Sequence, residues 1–337
     1  MKKALKILLI IFIILLIILG IAIGIGVHYV KSKLAKIQYV EIPKEEIEIN
    51  EGVEEKLEGY RNIAIFGVDS RSDSYGTGTR SDCIIIASLN LATNDVKLVS
   101  VYRDTCVNID GYGLDKITHA YSYGSAALAL STLNKNLDLN ITEFVTVNFG
   151  AVVDIVNAVG GVDIEIMQNE IQHLNGYLNE IDRLEGVTTT RITSPGKQTL
   201  NGAQALAYAR IRYTEGGDHK RTERIRDIII ALFNKAKTLN LTEMNKVIDT
   251  VLPKVYTNIN ADEIIKLAPD ALKYSIKTSI GWPYEQKGDK INGIYYGVPT
   301  TLESNVVRLH QEIFGEPEYQ ASETVKQISQ SIINKTK

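Results

Sequence analysis

The sequence predicts an α/β fold: a three-layer α/β/α domain with a central mixed β-sheet, preceded by one N-terminal transmembrane helix. Three apolar runs, residues 62–68, 83–89 and 96–102, have the nearly uninterrupted apolar character of strands covered on both faces. After residue 115, helical patterns alternate with further strands, which favours helices on both faces of one sheet. A fourth apolar run, residues 7–27, is long enough to cross a bilayer.

The three predicted strands bring charged residues to one edge of the sheet. Residues 90–95 carry turn chemistry, so the second and third strands are predicted to form an antiparallel hairpin. In a hairpin, the start of one strand lies beside the end of its partner. This places Arg80 and Asp82 near Arg103 and Asp104. We expect a mixed cluster of arginines and carboxylates there, at a sheet edge where a ligand is more typical than a core.

The middle of the chain continues the alternation of helix and strand. Asn148 can cap a helix of valines at helical spacing, which Gly160 and Gly161 end. Residues 162–166 alternate as a strand does. The polar residues 167–195 predict loops and a short helix.

A second basic segment follows. Residues 210–213 are predicted to be extended, and alternate residues of an extended chain share a face, so Arg210 and Arg212 would point together. Asp218 can cap the next helix, whose first turns contain Arg221. A helix N-terminus already carries positive partial charge, so an arginine there is unfavourable unless an anion binds nearby.

Converging arginines indicate a phosphate or diphosphate ligand, because a guanidinium group matches phosphate oxygens and stays charged. Carboxylates at the same place would repel that ligand unless a divalent cation bridges them. Asp69 and Asp82 are the predicted ligands of that cation, Mg2+ or Mn2+. The alternative is that the charges form structural ion pairs, such as Asp82 with Arg103.

Composition excludes some classes of protein. The 337 residues are 45% hydrophobic, enough for a substantial core, and the formal net charge of −3 gives no basic patch for nucleic acid. Two cysteines, Cys83 and Cys106, could be bridged, although two buried free thiols are the simpler interpretation.

The apolar run is longer than the core of a cleaved signal peptide, so we interpret it as an uncleaved anchor. The predicted organisation is a cytoplasmic tail (residues 1–6), a transmembrane anchor (7–27), a glutamate-rich charged stalk (28–59) and an extracytoplasmic catalytic domain (60–337). The chain would then be a single-pass protein of the cell membrane.

Several motifs in order resemble those of the LytR-CpsA-Psr family, membrane-anchored enzymes of Gram-positive cell walls. The resemblance covers roughly residues 60–232. Its motifs are Phe66-Gly-Val-Asp69-Ser-Arg71, Arg80-Ser-Asp82, Tyr102-Arg-Asp-Thr105, Asp115-Lys116, Val147-Asn-Phe149, Gly160-Gly-Val162 and Leu206-Ala-Tyr-Ala-Arg210-Ile-Arg212, followed by Gly217-Asp218 and Arg221.

The resemblance implies a transferase that moves a phosphorylated glycopolymer from a polyprenyl diphosphate carrier to peptidoglycan, with a divalent metal near the diphosphate. Asp69 and Asp82 match the metal-side aspartates. Arg103 would also act in catalysis, and Asp104 or Asp218 could accept the hydroxyl proton. The residues expected to bind the diphosphate are Arg80, Arg103, Lys116, Arg210, Arg212 and Arg221.

Two other functions remain open from the sequence. One is a membrane protein that holds polyprenyl phosphates without chemistry, or that regulates transcription. The other is a hydrolase that cleaves the lipid diphosphate with water. No helix-turn-helix pattern supports direct DNA binding.

Overall fold

The computed structural model describes residues 27–68, 75–267 and 273–336. These form two compact units. Of the described residues, the first unit contains 27–40, 67–68, 145–267 and 273–274, and the second contains 41–66, 75–144 and 275–336.

Thirteen strands occur in the described residues, and both parallel and antiparallel pairs are present. In chain order they are β1 (Gln38–Tyr39), β2 (Tyr60–Val68), β3 (Ser81–Asn90), β4 (Asp95–Val101), β5 (Cys106–Ile109), β6 (Gly113–Lys116), β7 (Glu143–Val147), β8 (Val162–Ile166), β9 (Gly196–Leu200), β10 (Tyr256–Thr257), β11 (Ser275–Trp282), β12 (Gln286–Ile291) and β13 (Ile294–Pro299).

The helices of the described residues alternate with these strands. In chain order they are α1 (Val27–Leu34), α2 (Val53–Lys56), α3 (Ile117–Leu137), α4 (Phe149–Ala158), α5 (Ile171–Glu185), α6 (Gly202–Ala209), α7 (Gly217–Ala236), α8 (Leu241–Val251), α9 (Ala261–Leu267), α10 (Leu302–Ile313) and α11 (Glu323–Lys335).

The second unit is built on a mixed sheet in the order β2-β3-β4-β11. Strands β3 and β4 form the predicted antiparallel hairpin, in which Ile84 lies opposite Val101. Strand β11 then pairs with β4 in parallel. Every residue of β3 from Ser81 to Leu89 is buried, which confirms a strand covered on both faces. Helix α3 packs against β3 and supplies Leu130 and Leu133 to the core.

The first unit has its own mixed strands and a helical layer. Strand β10 pairs with β1 in parallel and with β7 in the antiparallel direction. Helix α6 contacts α4, α5 and α7. At Gly202 the backbones of α6 and α4 approach so closely that a Cβ there would overlap the carbonyl oxygen of Val153. The predicted cap at Asn148 forms, because its side chain accepts from the Ala151 N–H, and Asn201 caps α6 by accepting from the Gln204 N–H.

The mixed sheet with flanking helices is confirmed, but three local predictions were wrong. Residues 41–58 do not behave as a solvated stalk, because Ile47, Val53 and Leu57 are buried in the second unit. Residues 171–185 form one continuous helix where loops and a short helix were expected. The strand at 162–166 exists, but it pairs with β9 in a separate two-stranded sheet.

The predicted anchor at residues 7–27 lies almost wholly outside the described residues. Within the part of the chain that the structure describes, no helix is long and apolar enough to cross a membrane. The tail, anchor and extracytoplasmic orientation therefore stay predictions.

Candidate functional site

A charged cluster in the second unit lies where β3 begins and β4 ends, as predicted. Nη1 of Arg103 donates to Oδ1 of Asp82 at 3.1 Å, and its Nε lies 3.6 Å from Oδ2 of Asp104. Nζ of Lys116 lies 3.0 Å from Oδ1 of the same Asp104. We call Asp82, Arg103, Asp104 and Lys116 the Arg103 cluster.

The backbone fixes the Arg103 cluster. The hairpin register sets the first residues of β3 beside the last residues of β4. The start of α3 links the beginning of β3 to the segment that follows β4. The N–H of Thr118 donates to the Arg103 carbonyl at 3.1 Å, and its Oγ1 donates to the Ser81 carbonyl at 2.9 Å. Asp82 is 2% exposed, so its negative charge depends on the nearby guanidinium group.

The ion pair between Arg103 and Asp82 matches the alternative that the sequence left open. Two cations and two carboxylates leave the Arg103 cluster with no excess charge of its own. Arg80, one residue before β3, is exposed and makes no ion pair with any residue described in the structure.

The first unit holds a second cluster around Arg210. Its Nη2 donates to Oε2 of Glu180 at 3.0 Å, and its guanidinium carbon lies 4.8 Å from the ring centre of Tyr177. Burial lowers the pKa of the Arg210 guanidinium, while Glu180 acts in the opposite direction. Arg210 is thus held rigidly between a carboxylate and an aromatic ring.

Asp218 joins two further arginines to this cluster. Its carboxylate lies 3.0 Å from Nη1 of Arg221 and 3.8 Å from Nε of Arg212. We call Glu180, Arg210, Arg212, Asp218 and Arg221 the Arg210 cluster. Three guanidinium groups against two carboxylates leave it one positive charge in excess, beside the N-terminus of α7.

Two predictions about this segment were wrong. Residues 210–213 do not form a strand: Arg210 has helical dihedral angles and ends α6, and it is buried while Arg212 is partly exposed. Asp218 does not cap α7, because the N-cap residue is Gly216, in the left-handed conformation. The carboxylate of Asp218 binds arginines instead.

A cavity of about 570 Å³ lies between α4, α5 and α6 of the first unit, and Arg210 forms part of its wall. Leu184 and Val187 are 44% and 52% exposed, so apolar surface borders it. The other apolar residues of its lining include Val153, Ile181, Ala203 and Leu206.

The predicted metal site is only partly described. Asp69 lies outside the described residues, and Asp82 is engaged by Arg103. Among residues 27–68, 75–267 and 273–336, no group of three or more His, Cys, Asp or Glu side chains could hold a metal ion. Asp82 offers a hard oxygen donor, which fits Mg2+, but a single carboxylate does not make a site.

Both cysteines are buried and neither forms a disulfide, as the simpler interpretation predicted. Burial raises the pKa of the Cys106 thiol to about 12, so it stays protonated at neutral pH. Cys106 therefore offers no thiolate to the Arg103 cluster.

A model described as the LytR_cpsA_psr family matches residues 25–312 of this chain, which is most of its length. The chain belongs to the LytR-CpsA-Psr family. The resemblance seen in the motifs is thereby confirmed, and it extends well beyond residue 232.

Named relatives of this LytR-CpsA-Psr protein share one description. A polyisoprenyl-teichoic acid–peptidoglycan teichoic acid transferase TagU of Enterococcus faecalis is 34% identical over 212 residues, which are 62% of this chain and 65% of that protein. That match spans slightly less than two thirds of the relative's length. A TagU of Oceanobacillus iheyensis is 31% identical over 288 residues, 82% of each chain.

Solved structures of the LytR-CpsA-Psr family share the fold. The structure of the LytR-CPS2A-psr family protein YwtF (TagT) with bound octaprenyl pyrophosphate lipid has a TM-score of 0.53 at 22% identity. The alignment covers 83% of this chain and 92% of that one.

Sequence reasoning missed the partners that hold the arginines of this family member. Glu180 and Tyr177 lie on α5, in a segment predicted to form loops and a short helix, although Leu174, Leu178 and Ile181 have the spacing of a longer helix. Arg224 is also buried, and its Nε donates to Oε1 of Glu170 at 2.7 Å. A local sequence pattern does not report contacts between residues that are this far apart in the sequence.

Replacing Glu180 with alanine should lower the free energy of unfolding by about 3 kcal/mol, because Arg210 would be left buried without its carboxylate. Thermal and urea unfolding of the full-length chain measure the change. Glu185→Ala is the matched control, since Glu185 is exposed at the end of the same helix and makes no ion pair within the described residues. Equal stability of the two variants would contradict a structural role for Glu180.

Proposed function

We propose that this protein is an extracytoplasmic phosphotransferase. It moves a phosphorylated glycopolymer, such as teichoic acid, capsule or a related polysaccharide, from a polyprenyl diphosphate carrier to a sugar hydroxyl of peptidoglycan. The observation that carries the proposal is that arginines at the family's motif positions are held in fixed orientations by carboxylates, Arg103 in one unit and Arg210 in the other. The names of the TagU relatives support the substrate class.

Arginines and one lysine bind the diphosphate in this proposal. Fixed guanidinium groups lose little conformational freedom when phosphate oxygens bind, so they stabilise charge that develops on those oxygens. The first unit adds the N-terminus of α7 and an excess positive charge, which favour an anion. The proposed diphosphate ligands are Arg80, Arg103, Lys116, Arg210, Arg212 and Arg221.

The reaction is a displacement at phosphorus. The acceptor hydroxyl oxygen forms a bond to the phosphorus that carries the glycan, and the bond from that phosphorus to the bridging oxygen breaks. The lipid monophosphate leaves, and the hydroxyl proton passes to a carboxylate. Asp104 is the first candidate for this base, and Asp218 is the second, because each is oriented by two cationic side chains.

The carrier's prenyl tail requires an apolar surface close to the phosphate ligands. The cavity between α4, α5 and α6 offers one, with Arg210 in its wall and leucine, isoleucine and valine side chains around it. We propose it as the site of the first isoprene units. The octaprenyl pyrophosphate bound to the YwtF structure supports a ligand of this chemistry.

A divalent cation is the proposed cofactor, held by Asp82 together with Asp69. When bound, Mg2+ or Mn2+ would offset the charge of the phosphate oxygens. The anchor at residues 7–27 is proposed to hold the enzyme at the outer face of the cell membrane, where both its lipid carrier and peptidoglycan are present.

Replacing Arg103 with alanine should reduce transfer at least about a hundredfold, because a charge-stabilising donor is lost. The assay incubates the full-length chain with a lipid diphosphate-linked glycan, a peptidoglycan acceptor and Mg2+, and measures the new phosphodiester conjugate. Arg308→Ala is the control, because Arg308 is an exposed arginine of the same unit, whose contacts in the described chain are an ion pair with Glu312 and the ring of Tyr284.

Unchanged turnover of the Arg103 variant, with an unchanged unfolding midpoint, would remove Arg103 from the mechanism. With the unmodified protein, release of free glycan phosphate would instead identify a hydrolase. Tight binding without turnover would identify a binding protein.

Removal of divalent cations with EDTA should stop transfer, and added Mg2+ should restore it, because the proposed cation offsets charge on the diphosphate. Asp82→Asn should raise the Mg2+ concentration needed for half-maximal transfer. The measurement is conjugate formation across a Mg2+ titration. Full activity in EDTA would contradict a metal cofactor while leaving the arginine chemistry intact.

A further inference from the structure

Two tyrosines of the second unit form an exposed aromatic platform that the proposed chemistry does not use. Tyr112 lies in the turn between β5 and β6, and Tyr123 lies in α3. Their rings are stacked, with centroids 4.1 Å apart and an interplanar angle of 12°. The residues are 55% and 36% exposed, so aromatic surface remains open to solvent. We call this pair the tyrosine platform.

A single carboxylate anchors the tyrosine platform. Asp115 accepts hydrogen bonds from the Tyr123 hydroxyl at 2.7 Å, from Nδ1 of His119 at 2.9 Å and from the Tyr296 hydroxyl at 3.3 Å. Although burial acts to raise the pKa of Asp115, hydrogen bonds from His119, Tyr123 and the Lys116 backbone N–H lower it overall, so the carboxylate is ionised. The rings around it are therefore fixed in place.

The backbone of α3 breaks immediately after the platform. Gly124 and Ser125 have non-helical dihedral angles, and Ser125 has φ 56° with ψ −150°, a conformation that is costly for a residue with a side chain. This break ends the first segment of α3 at Tyr123. The ring of Tyr123 consequently projects from a helix end, where it meets Tyr112.

The tyrosine platform is continuous with the Arg103 cluster within the same unit. The hydroxyl of Tyr296 binds Asp115, and the centre of its ring lies 5.7 Å from Nζ of Lys116. Lys116 in turn pairs with Asp104. The guanidinium group of Arg80 also acts electrostatically on the Tyr123 hydroxyl. A ligand on the platform would thus extend from the charged cluster at which the transferred phosphate is proposed to react.

The chemistry of this surface suits an uncharged sugar. One face of a pyranose ring presents C–H groups, which pack on the electron-rich face of an aromatic ring, while its hydroxyl and amide groups need hydrogen-bond partners at the edge. Nε2 of His119 makes no hydrogen bond within the described residues and offers such a partner. The negative charge of Asp115 disfavours a phosphate-rich donor polymer here.

We propose that Tyr112, Tyr123 and His119 form a subsite for an N-acetylated sugar of the acceptor glycan. The inference rests on the proposed transferase function, because it assigns the acceptor side of the same site. It makes these residues determinants of acceptor affinity, not of lipid affinity. Asp115 and Tyr296 are positioning residues that hold the subsite.

The test is binding of a lipid-free probe, the β-1,4-linked hexamer of N-acetylglucosamine, to the full-length chain by calorimetry. Tyr112→Ala should weaken binding about tenfold, because the outer ring of the stack is lost. Tyr112→Phe keeps the ring and should retain binding. Tyr295→Ala is the matched control: Tyr295 is 52% exposed and adjoins Tyr296 on β13, but successive strand residues lie on opposite faces.

A second readout separates this inference from the proposed function. In the transfer assay, Tyr112→Ala should raise KM for the peptidoglycan acceptor and leave KM for the lipid diphosphate unchanged. Unchanged probe affinity and acceptor KM in Tyr112→Ala would overturn the subsite, as would absence of probe binding by the unmodified chain. Loss of probe binding in Tyr112→Ala, in a protein that performs no transfer, would support the sugar subsite and refute the transferase.

Discussion

Burying a charged group without a partner is costly, and this constraint governs the packing around the buried charges of each unit. Arg210, Arg221 and Arg224 are each 5% exposed or less, and every one contacts a carboxylate. In the second unit the more deeply buried partner is the carboxylate: Asp82 is paired with Arg103. The surrounding helices and turns place each of these charges next to a group of opposite charge.

The same constraint would prepare the arginines for the proposed function. A guanidinium group that a carboxylate already fixes does not have to be ordered when a phosphate arrives. The structural ion pairs of Arg103 and Arg210 are therefore compatible with the proposed binding of phosphate.

Local sequence signals predicted the elements that depend on local physics. The hairpin of β3 and β4 followed from two apolar runs and one turn, and the cap at Asn148 followed because an asparagine oxygen can accept from N–H groups of the next turn. The hairpin register then brought Arg103 to Asp82, so one of the two clusters could be predicted. The resemblance to the family motifs identified the remaining candidate arginines.

Predictions failed where tertiary contacts decide the outcome. Residues 171–185 look polar because α5 buries only one narrow face, yet that helix provides Glu180 for Arg210. The segment at 210–213 was expected to be extended, but the partner of each arginine sets its direction: Glu180 for Arg210 and Asp218 for Arg212. Such pairings join residues distant in sequence, and no periodicity reports them.

The central claim is that a guanidinium group held in place by a carboxylate binds the diphosphate of the lipid carrier. An experimental structure of the full-length chain with a bound prenyl diphosphate measures this directly. The account predicts that Arg103 donates to a diphosphate oxygen, at roughly 2.7–2.9 Å, while it stays paired with Asp82. A bound diphosphate that Arg103 does not contact would contradict it.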